Sequence, residues 1–158
     1  MHQWKPGQLL WGALIFAVLY SPLNAQSKKT QAQSLVDLTA QKHPEITGLE
    51  LSTTPAGREV CVTIAATEAK DLGEKCDKDE ATAMKTGKPF VEHEADGFDI
   101  TAPLHDASGK LIGAIGIDFK PELGQTKADI LKLTVGLLKE VEQQIPSKAS
   151  LFQPVSGD

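Results

Sequence analysis

Residues 100–119, with the sequence ITAPLHDASGKLIGAIGIDF, predict two β-strands joined by a tight turn. Apolar and polar residues alternate over 98–104, as they do in a strand with one buried face. Asp106-Ala107-Ser108-Gly109 has the composition of a hairpin turn. The following segment, 110–119, is the most strongly β-prone of the chain, and its Gly113 and Gly116 indicate that another group approaches the backbone closely there. These residues predict an antiparallel pair of strands.

The segments on either side of this pair predict further strands and two terminal helices. Apolar residues recur at helical spacing near both ends of the chain, and each run stops at a proline, Pro44 or Pro146. The predicted elements are helices over 31–42, 79–85 and 127–145, and strands over 46–53, 59–66 and 89–94. Because the connections between neighbouring strands are short, the predicted fold class is α+β, with an antiparallel sheet of about five strands flanked by N- and C-terminal helices.

The first 25 residues have the pattern of a secretory signal peptide. An uncharged apolar run of 12 residues, Leu9 to Tyr20, is shorter than the roughly 20 residues of a spanning helix, and Pro22 and Ala25 follow it. An uncleaved membrane anchor is the alternative. We therefore expect a periplasmic or secreted protein. Its expected organisation is a signal peptide (1–25), a flexible start (26–30), one domain (31–146) and a tail (147–158).

Composition argues against several classes of partner. The formal net charge of the chain is −5, and an acidic protein without a basic stripe is repelled by phosphate backbones, so nucleic acid is a poor partner. Beyond the expected leader the chain has no Trp, no Tyr and four Phe. A ligand site built from this sequence therefore has few aromatic rings for stacking on bases or enclosing quaternary ammonium groups.

Cys61 and Cys76 are the two cysteines of the chain. In an exported protein such a pair favours a structural disulfide. Free thiols lining a pocket are the alternative. The sequence contains neither the CxxC spacing of a thioredoxin-like redox site nor the CxxCH motif that attaches haem covalently.

Several short features occur in a fixed order between Thr63 and Phe119. They are a strand ending in Ile64-Ala65-Ala66, a loop with Gly73, a short helical segment leading to Thr86-Gly87-Lys88-Pro89, and two strands joined by the turn at 106–109. In this order they resemble the Cache (PAS-like) extracytoplasmic sensor domains, and the leading helix over 31–42 fits the same pattern. The resemblance covers most of the chain beyond the leader.

The Cache resemblance implies a sheet that holds a small molecule against a loop and a short helix. It implies reversible binding of a metabolite and signalling through a partner, either a membrane-bound protein or a second copy of the chain. The chain departs from the family pattern because it has no second apolar run of spanning length and no output domain. It also lacks the Tyr and Trp with which amino-acid-binding members surround their ligand.

Six residues are candidates for contact with such a ligand. Asp99 and Thr101 share one face of their strand, and Asp118 lies at the end of the strongest strand, where the resemblance implies an acid that faces the ligand. Lys75 and Lys88 are candidates for pairing with a ligand carboxylate. For each of these five, solvent exposure is the alternative.

His93 is the sixth candidate, within the segment EHEADGFD at 92–99. Imidazole and the neighbouring carboxylates are ordinary metal ligands, so an exported metal- or haem-binding protein is the alternative function. The segment lacks the second histidine of an HExxH motif, and a solvated turn explains it more simply. No metal site and no cofactor is therefore predicted.

The sequence contains no motif that indicates catalysis. No nucleophile elbow, phosphate-binding glycine loop or Ser/His/Asp order with a characteristic local motif occurs. The three histidines beyond the leader, His43, His93 and His105, do not form a recognisable catalytic pattern. The sequence thus predicts a binding protein that is not an enzyme.

Overall fold

The computed structural model describes residues 28–93, 97–120 and 124–155. Three helices and five strands form the domain: α1 (Gln31–Lys42), β1 (Ile46–Thr53), β2 (Val62–Ala66), α2 (Lys78–Thr86), β3 (Phe90–His93), β4 (Phe98–His105), β5 (Leu111–Phe119) and α3 (Lys127–Gln143). The N-caps follow from the sequence, since a Thr or Asp side chain accepts a hydrogen bond from a first-turn amide in each helix.

The five strands form one sheet in the order β2-β1-β5-β4-β3, and every neighbouring pair is antiparallel. The predicted hairpin, β4 and β5, therefore lies inside the sheet. β1 pairs with β5 through a long-range contact that places Glu50 opposite Gly116. β2 and β3 occupy the two edges, so the chain between them crosses a face of the sheet.

The apolar face of the sheet packs against α1 and α3. Alternate residues of the three central strands join one buried cluster with side chains of both helices, which include Val36 of α1 and Ile130 and Val141 of α3. Leu51 and Ile115, paired across β1 and β5, are 1% and 0% exposed. Because side chains alternate along a strand, the residues between these apolar positions face the opposite side.

That opposite, polar face is partly covered by α2. Asp77 and Glu80 form a capping box at the start of the helix, and Gly87, with a φ of 66°, ends it in the left-handed conformation. The buried residues of α2 are Glu80 and Ala83. The helix contacts β4 and β5, and the short 3₁₀ segment Ala69–Asp71 precedes it in the crossing chain.

The residues after α3 return to the start of the domain. Lys148–Phe152 form a 3₁₀ helix, and Leu151 within it is 2% exposed and joins the core. The amide of Gln31 donates to the carbonyl of Gln153, and that of Val155 donates to the carbonyl of Lys29. Residues within the predicted start (26–30) and tail (147–158) are thus held together.

The predicted α+β class, with its five-stranded antiparallel sheet and terminal helices, is confirmed. The expected signal peptide, residues 1–25, lies outside the described residues. Within the described ranges, no helix has both the length and the apolar character needed to cross a membrane.

Candidate functional site

A small acidic cleft opens on the polar face of the sheet. It has a volume of about 110 Å³ and lies where β1, β4 and β5 meet the chain that follows β2. Its lining includes two glycines, Gly48 and Gly116, and the described residues that line it include no Lys, Arg, His or aromatic residue. Its five acidic residues are Glu50, Glu68, Asp71, Asp99 and Asp118. We call this site the acidic cleft.

Glycines in the two central strands make room for the carboxylates of the acidic cleft. A Cβ atom on Gly116 would lie 2.7 Å from Oε1 of Glu50, and one on Gly48 would collide with the carboxylate of Asp118. Gly113 serves a different contact, because its Cβ would collide with a backbone carbonyl of β1. The close approach predicted at Gly113 and Gly116 is therefore present, and at Gly116 the approaching group is an acidic side chain.

Glu50 is a strongly perturbed acid of the cleft. Partial burial is the main cause that raises its pKa from 4.5 to about 7, and the negative charges of Glu80, Asp71, Asp118 and Asp77 raise it further. A group with such a pKa, set in a cleft by burial and by identified neighbours, marks a candidate functional site.

Glu80, whose charge acts on Glu50, lies in the first turn of α2. It is 6% exposed, and its Oε2 atom accepts a hydrogen bond of 2.9 Å from the amide of Asp77. Its Oε1 atom is buried and has no hydrogen-bond partner. A buried oxygen of this kind is costly unless a donor satisfies it, and native proteins retain few of them.

The structure brings together three of the six predicted ligand residues. Asp99 and Asp118 line the acidic cleft and are opposite each other across β4 and β5. Thr101 is buried at the next position of β4 on the same face, opposite Gly116. The sequence did not identify Glu50 or Glu80.

The other three predicted ligand residues lie elsewhere. Lys75 is exposed in a bridge with Val62, and Lys88 is exposed just after α2. His93 is exposed at the end of β3, with its ring centroid 4.7 Å from that of Phe98. None of the three lines the acidic cleft.

The metal-binding alternative centred on His93 is only partly within the described residues, because 94–96 lie outside them. In the part of the chain that the structure describes, no group of three or more His, Cys, Asp or Glu side chains is placed to hold a metal ion. The crowded acids of the cleft are thus not arranged as a metal centre.

Cys61 and Cys76 form a disulfide with a Cα–Cα distance of 5.3 Å, which confirms the predicted pairing. The amide of Cys76 also donates to the carbonyl of Cys61. The bond closes the loop that carries Asp71, and it lies next to Asp77, the N-cap of α2. It therefore anchors the crossing chain close to the residues that act on Glu50.

A wider depression lies on the other side of the domain. This helix-side groove has a volume of about 550 Å³, and its lining includes His43, Phe119, Leu133, Gly136 and Leu137. Glu50, the carboxyl whose pKa is raised to about 7, lines the acidic cleft and not this groove. For that reason we take the acidic cleft as the candidate site.

No protein-family model matches the sequence, and a comparison with curated protein sequences finds no match. Solved structures do match. The second GAF domain of DevS from Mycobacterium smegmatis superposes with a TM-score of 0.53 at 13% identity, over 70% of this chain and 90% of that one. The GAF domain of a two-component sensor histidine kinase from Bacillus halodurans superposes with a TM-score of 0.51 at 12% identity, over 71% of this chain and 91% of that one. The fold is GAF-like. It is a PAS-like fold, as the resemblance implied.

One matching structure corrects a sequence-based prediction. The type II free methionine-R-sulfoxide reductase from Thermoplasma acidophilum superposes with a TM-score of 0.52 at 16% identity, over 78% of this chain and 93% of that one. Nearly the whole chain of an enzyme therefore shares this fold. The prediction that the chain is not an enzyme is wrong in its reasoning, because missing local motifs do not exclude catalysis on a GAF-like scaffold.

Proposed function

We propose that this chain is an exported sensor domain that binds a small metabolite reversibly in the acidic cleft. The observation that carries the proposal is the position of Glu50, a partly buried carboxyl with a strongly raised pKa inside a preformed cleft of a GAF-like fold. The GAF domain of a sensor histidine kinase among its neighbours supports a sensing role. The order of motifs between Thr63 and Phe119 supports a Cache-type domain.

The binding signal would pass to a partner, a membrane-bound protein or a second copy of the chain. A ligand in the acidic cleft contacts β1 and β5, whose opposite faces pack against α1 and α3. A change in the sheet would therefore reach two helices on the other side. Leu133 of α3 is exposed, and an apolar side chain on a helix surface can contact another helix.

Thermal unfolding in the presence of small-molecule panels tests the proposal. Organic acids, amines, purines and metal ions are each added to the purified protein, and the midpoint of unfolding is recorded. A ligand present at a hundred times its dissociation constant stabilises the folded state by about 2.7 kcal/mol. A shift with one class supports reversible binding, and no shift with any class contradicts it.

The disulfide supports a second candidate, reduction of free methionine sulfoxide. When reduced, Cys61 and Cys76 are a pair of thiols whose Cα atoms lie 5.3 Å apart, and the matching structure from Thermoplasma acidophilum is a free methionine-R-sulfoxide reductase. In such a reaction the sulfoxide oxygen leaves as water, two thiols are oxidised to a disulfide, and an added dithiol reduces that disulfide again.

Chromatography of methionine, formed from its R-sulfoxide with dithiothreitol as the reductant, tests this activity. A Cys61→Ser/Cys76→Ser variant is the matched control. Turnover by the wild type and not by the variant supports a reductase. Equal rates in the two proteins, or none in either, contradict it.

A further inference from the structure

The crossing chain, residues 67–77, lies on the polar face of the sheet without support from the apolar core. None of these described residues belongs to the buried apolar cluster of the domain. The 3₁₀ segment Ala69–Asp71 has no buried residue, and Leu72 is 46% exposed. The helix that follows, α2, buries Glu80 and Ala83. Elements with so few buried apolar contacts open at a lower cost in free energy than the core does.

Two properties of the acids in these elements oppose the packing of α2 on the sheet. Oε1 of Glu80 is buried without a hydrogen-bond partner in the described part of the chain, which costs free energy. Burial is the largest cause that raises the pKa of Glu50, and the charges of Glu80, Asp71 and Asp77 add to it. The acids of α2 and of the crossing chain therefore repel the ionised Glu50 on β1.

The disulfide between Cys61 and Cys76 is the covalent link that holds these elements in place. Cys61 directly precedes β2, and Cys76 directly precedes the N-cap of α2, so the bond fastens the end of the crossing chain to the edge of the sheet. Backbone hydrogen bonds follow the same line. The amide of Thr63 donates to the carbonyl of Glu74, and the amide of Gly73 donates to the carbonyl of Thr63. Both cysteines are partly exposed, so the bond lies at the surface.

We propose that the Cys61–Cys76 disulfide is a redox latch, whose reduction by a dithiol releases the crossing chain and α2 from the polar face of the sheet. This inference rests on the proposed function in one respect, that the acidic cleft is the site which the latch controls. Glu68 and Asp71 of the crossing chain line that cleft. The intact disulfide therefore keeps this wall of the cleft in place, and its reduction opens the cleft.

The reduction is a thiol–disulfide exchange. A thiolate of the dithiol attacks one protein sulfur and forms a mixed disulfide, while the other protein sulfur leaves as a thiolate and takes up a proton. The second thiol of the reagent then loses its proton and attacks the reagent sulfur of the mixed disulfide, which frees the remaining protein sulfur as a thiol. Two electrons pass to the protein. Cys61 and Cys76 end as thiols, and the dithiol ends as a disulfide.

Hydrogen–deuterium exchange of the full chain, with and without dithiothreitol, tests the latch, and counting thiols establishes that the bond is reduced. The amides of Thr63, Gly73, Cys76 and α2 should exchange about tenfold to a hundredfold faster after reduction, because the disulfide closes a loop of 15 residues. The amide of Ile115 in the core should keep its protection. As a matched control, Cys61→Ser/Cys76→Ser should resemble the reduced protein with or without the reagent.

The carboxyl group of Glu50 provides a second readout that a disulfide with a general stabilising role would not move. In the oxidised protein its pKa is about 7, through burial and through acids that include Glu80, Asp71 and Asp77. Release of α2 and the crossing chain removes these charges and admits water, so reduction should lower the pKa of Glu50 towards its ordinary value of 4.5. Carbon-13 nuclear magnetic resonance titration of the side-chain carboxyl measures this change.

The other outcomes overturn the latch. If the disulfide is reduced and no amide exchanges faster, or the pKa of Glu50 is unchanged, the crossing chain stays in place without it. If all amides lose protection together, including that of Ile115, the disulfide stabilises the whole domain. If the folded protein resists dithiothreitol, no dithiol operates the latch. None of these results concerns ligand binding by the oxidised protein, which thermal unfolding tests, so the latch and the proposed function fail separately.

Discussion

Replacing Glu50 by Gln should stabilise the unliganded protein at pH 8 and have little effect at pH 4.5. The substitution keeps the shape of the side chain and removes its charge. In the folded protein the pKa of Glu50 is about 7, whereas its ordinary value is 4.5. Between these pH values the folded state holds a proton that the unfolded chain has lost, so the wild-type free energy of unfolding falls as pH rises through this window.

The size of the effect follows from the two pKa values. At about 1.4 kcal/mol per pH unit, the difference between 4.5 and about 7 sets an upper limit of about 3 kcal/mol above pH 7. Glu50 is only partly buried, so water screens much of this cost, and we expect about 1–2 kcal/mol. Near pH 4.5 Glu50 is almost fully protonated in the folded state and about half protonated in the unfolded chain, so the expected gain is below about 0.5 kcal/mol.

Urea denaturation followed by far-ultraviolet circular dichroism measures this effect, because the described residues contain no Trp. Wild type, Glu50→Gln and the surface control Glu59→Gln are compared at pH 4.5, 6 and 8. The expected result is a gain for Glu50→Gln that grows with pH and is missing in the control. A gain that is constant with pH, or a loss of stability at pH 8, would refute the reasoning about Glu50.

Four further variants test the packing around the site. Gly113→Ala should lower the free energy of unfolding by about 1–3 kcal/mol, because the added Cβ meets a rigid backbone carbonyl. Gly116→Ala should cost less stability, because the added Cβ meets the flexible Glu50 carboxylate, which can move. That movement should weaken ligand binding instead. Calorimetry and denaturation of both variants check this, and a larger stability loss at Gly116 would contradict it. Replacing Cys61 and Cys76 by Ser should lower the free energy of unfolding by about 3 kcal/mol, because the disulfide closes a loop of 15 residues. A loss below about 1 kcal/mol in urea denaturation would argue against this stabilisation by the disulfide. Asp77→Ala removes the N-cap of α2 and should lower the free energy of unfolding by about 1 kcal/mol in the same assay. An unchanged free energy of unfolding would contradict this prediction.

Local signals in the sequence were sufficient for most elements of the fold. The helix over 31–42 was predicted with its final bounds, because its apolar spacing and the following His43-Pro44 are both local features. The hairpin of β4 and β5 followed from alternation and from the turn at 106–109. The position of β1 beside β5 did not follow from the sequence, because a pairing between residues so far apart in the chain leaves no local pattern.

The dependence on local patterns also explains which residues of the acidic cleft the sequence could predict. Asp99, Thr101 and Asp118 stand out within the hairpin, where alternation assigns them to one face. Glu50 lies in a strand that alternates weakly, and only the pairing of β1 with β5 places it over Gly116. Glu80 reads locally as part of a helix cap, and its burial depends on how α2 packs against the sheet.

Nuclear magnetic resonance titration of isotopically labelled protein tests most directly whether a ligand binds in the acidic cleft. Organic acids, amines, purines and metal ions are titrated separately at pH 8, and the backbone amide shifts are mapped on the structure. We predict that at least one of these classes perturbs the amides around Gly48, Glu50 and Gly116. Perturbations centred on Leu133 and Gly136 in the helix-side groove, or none with any compound, would contradict this account.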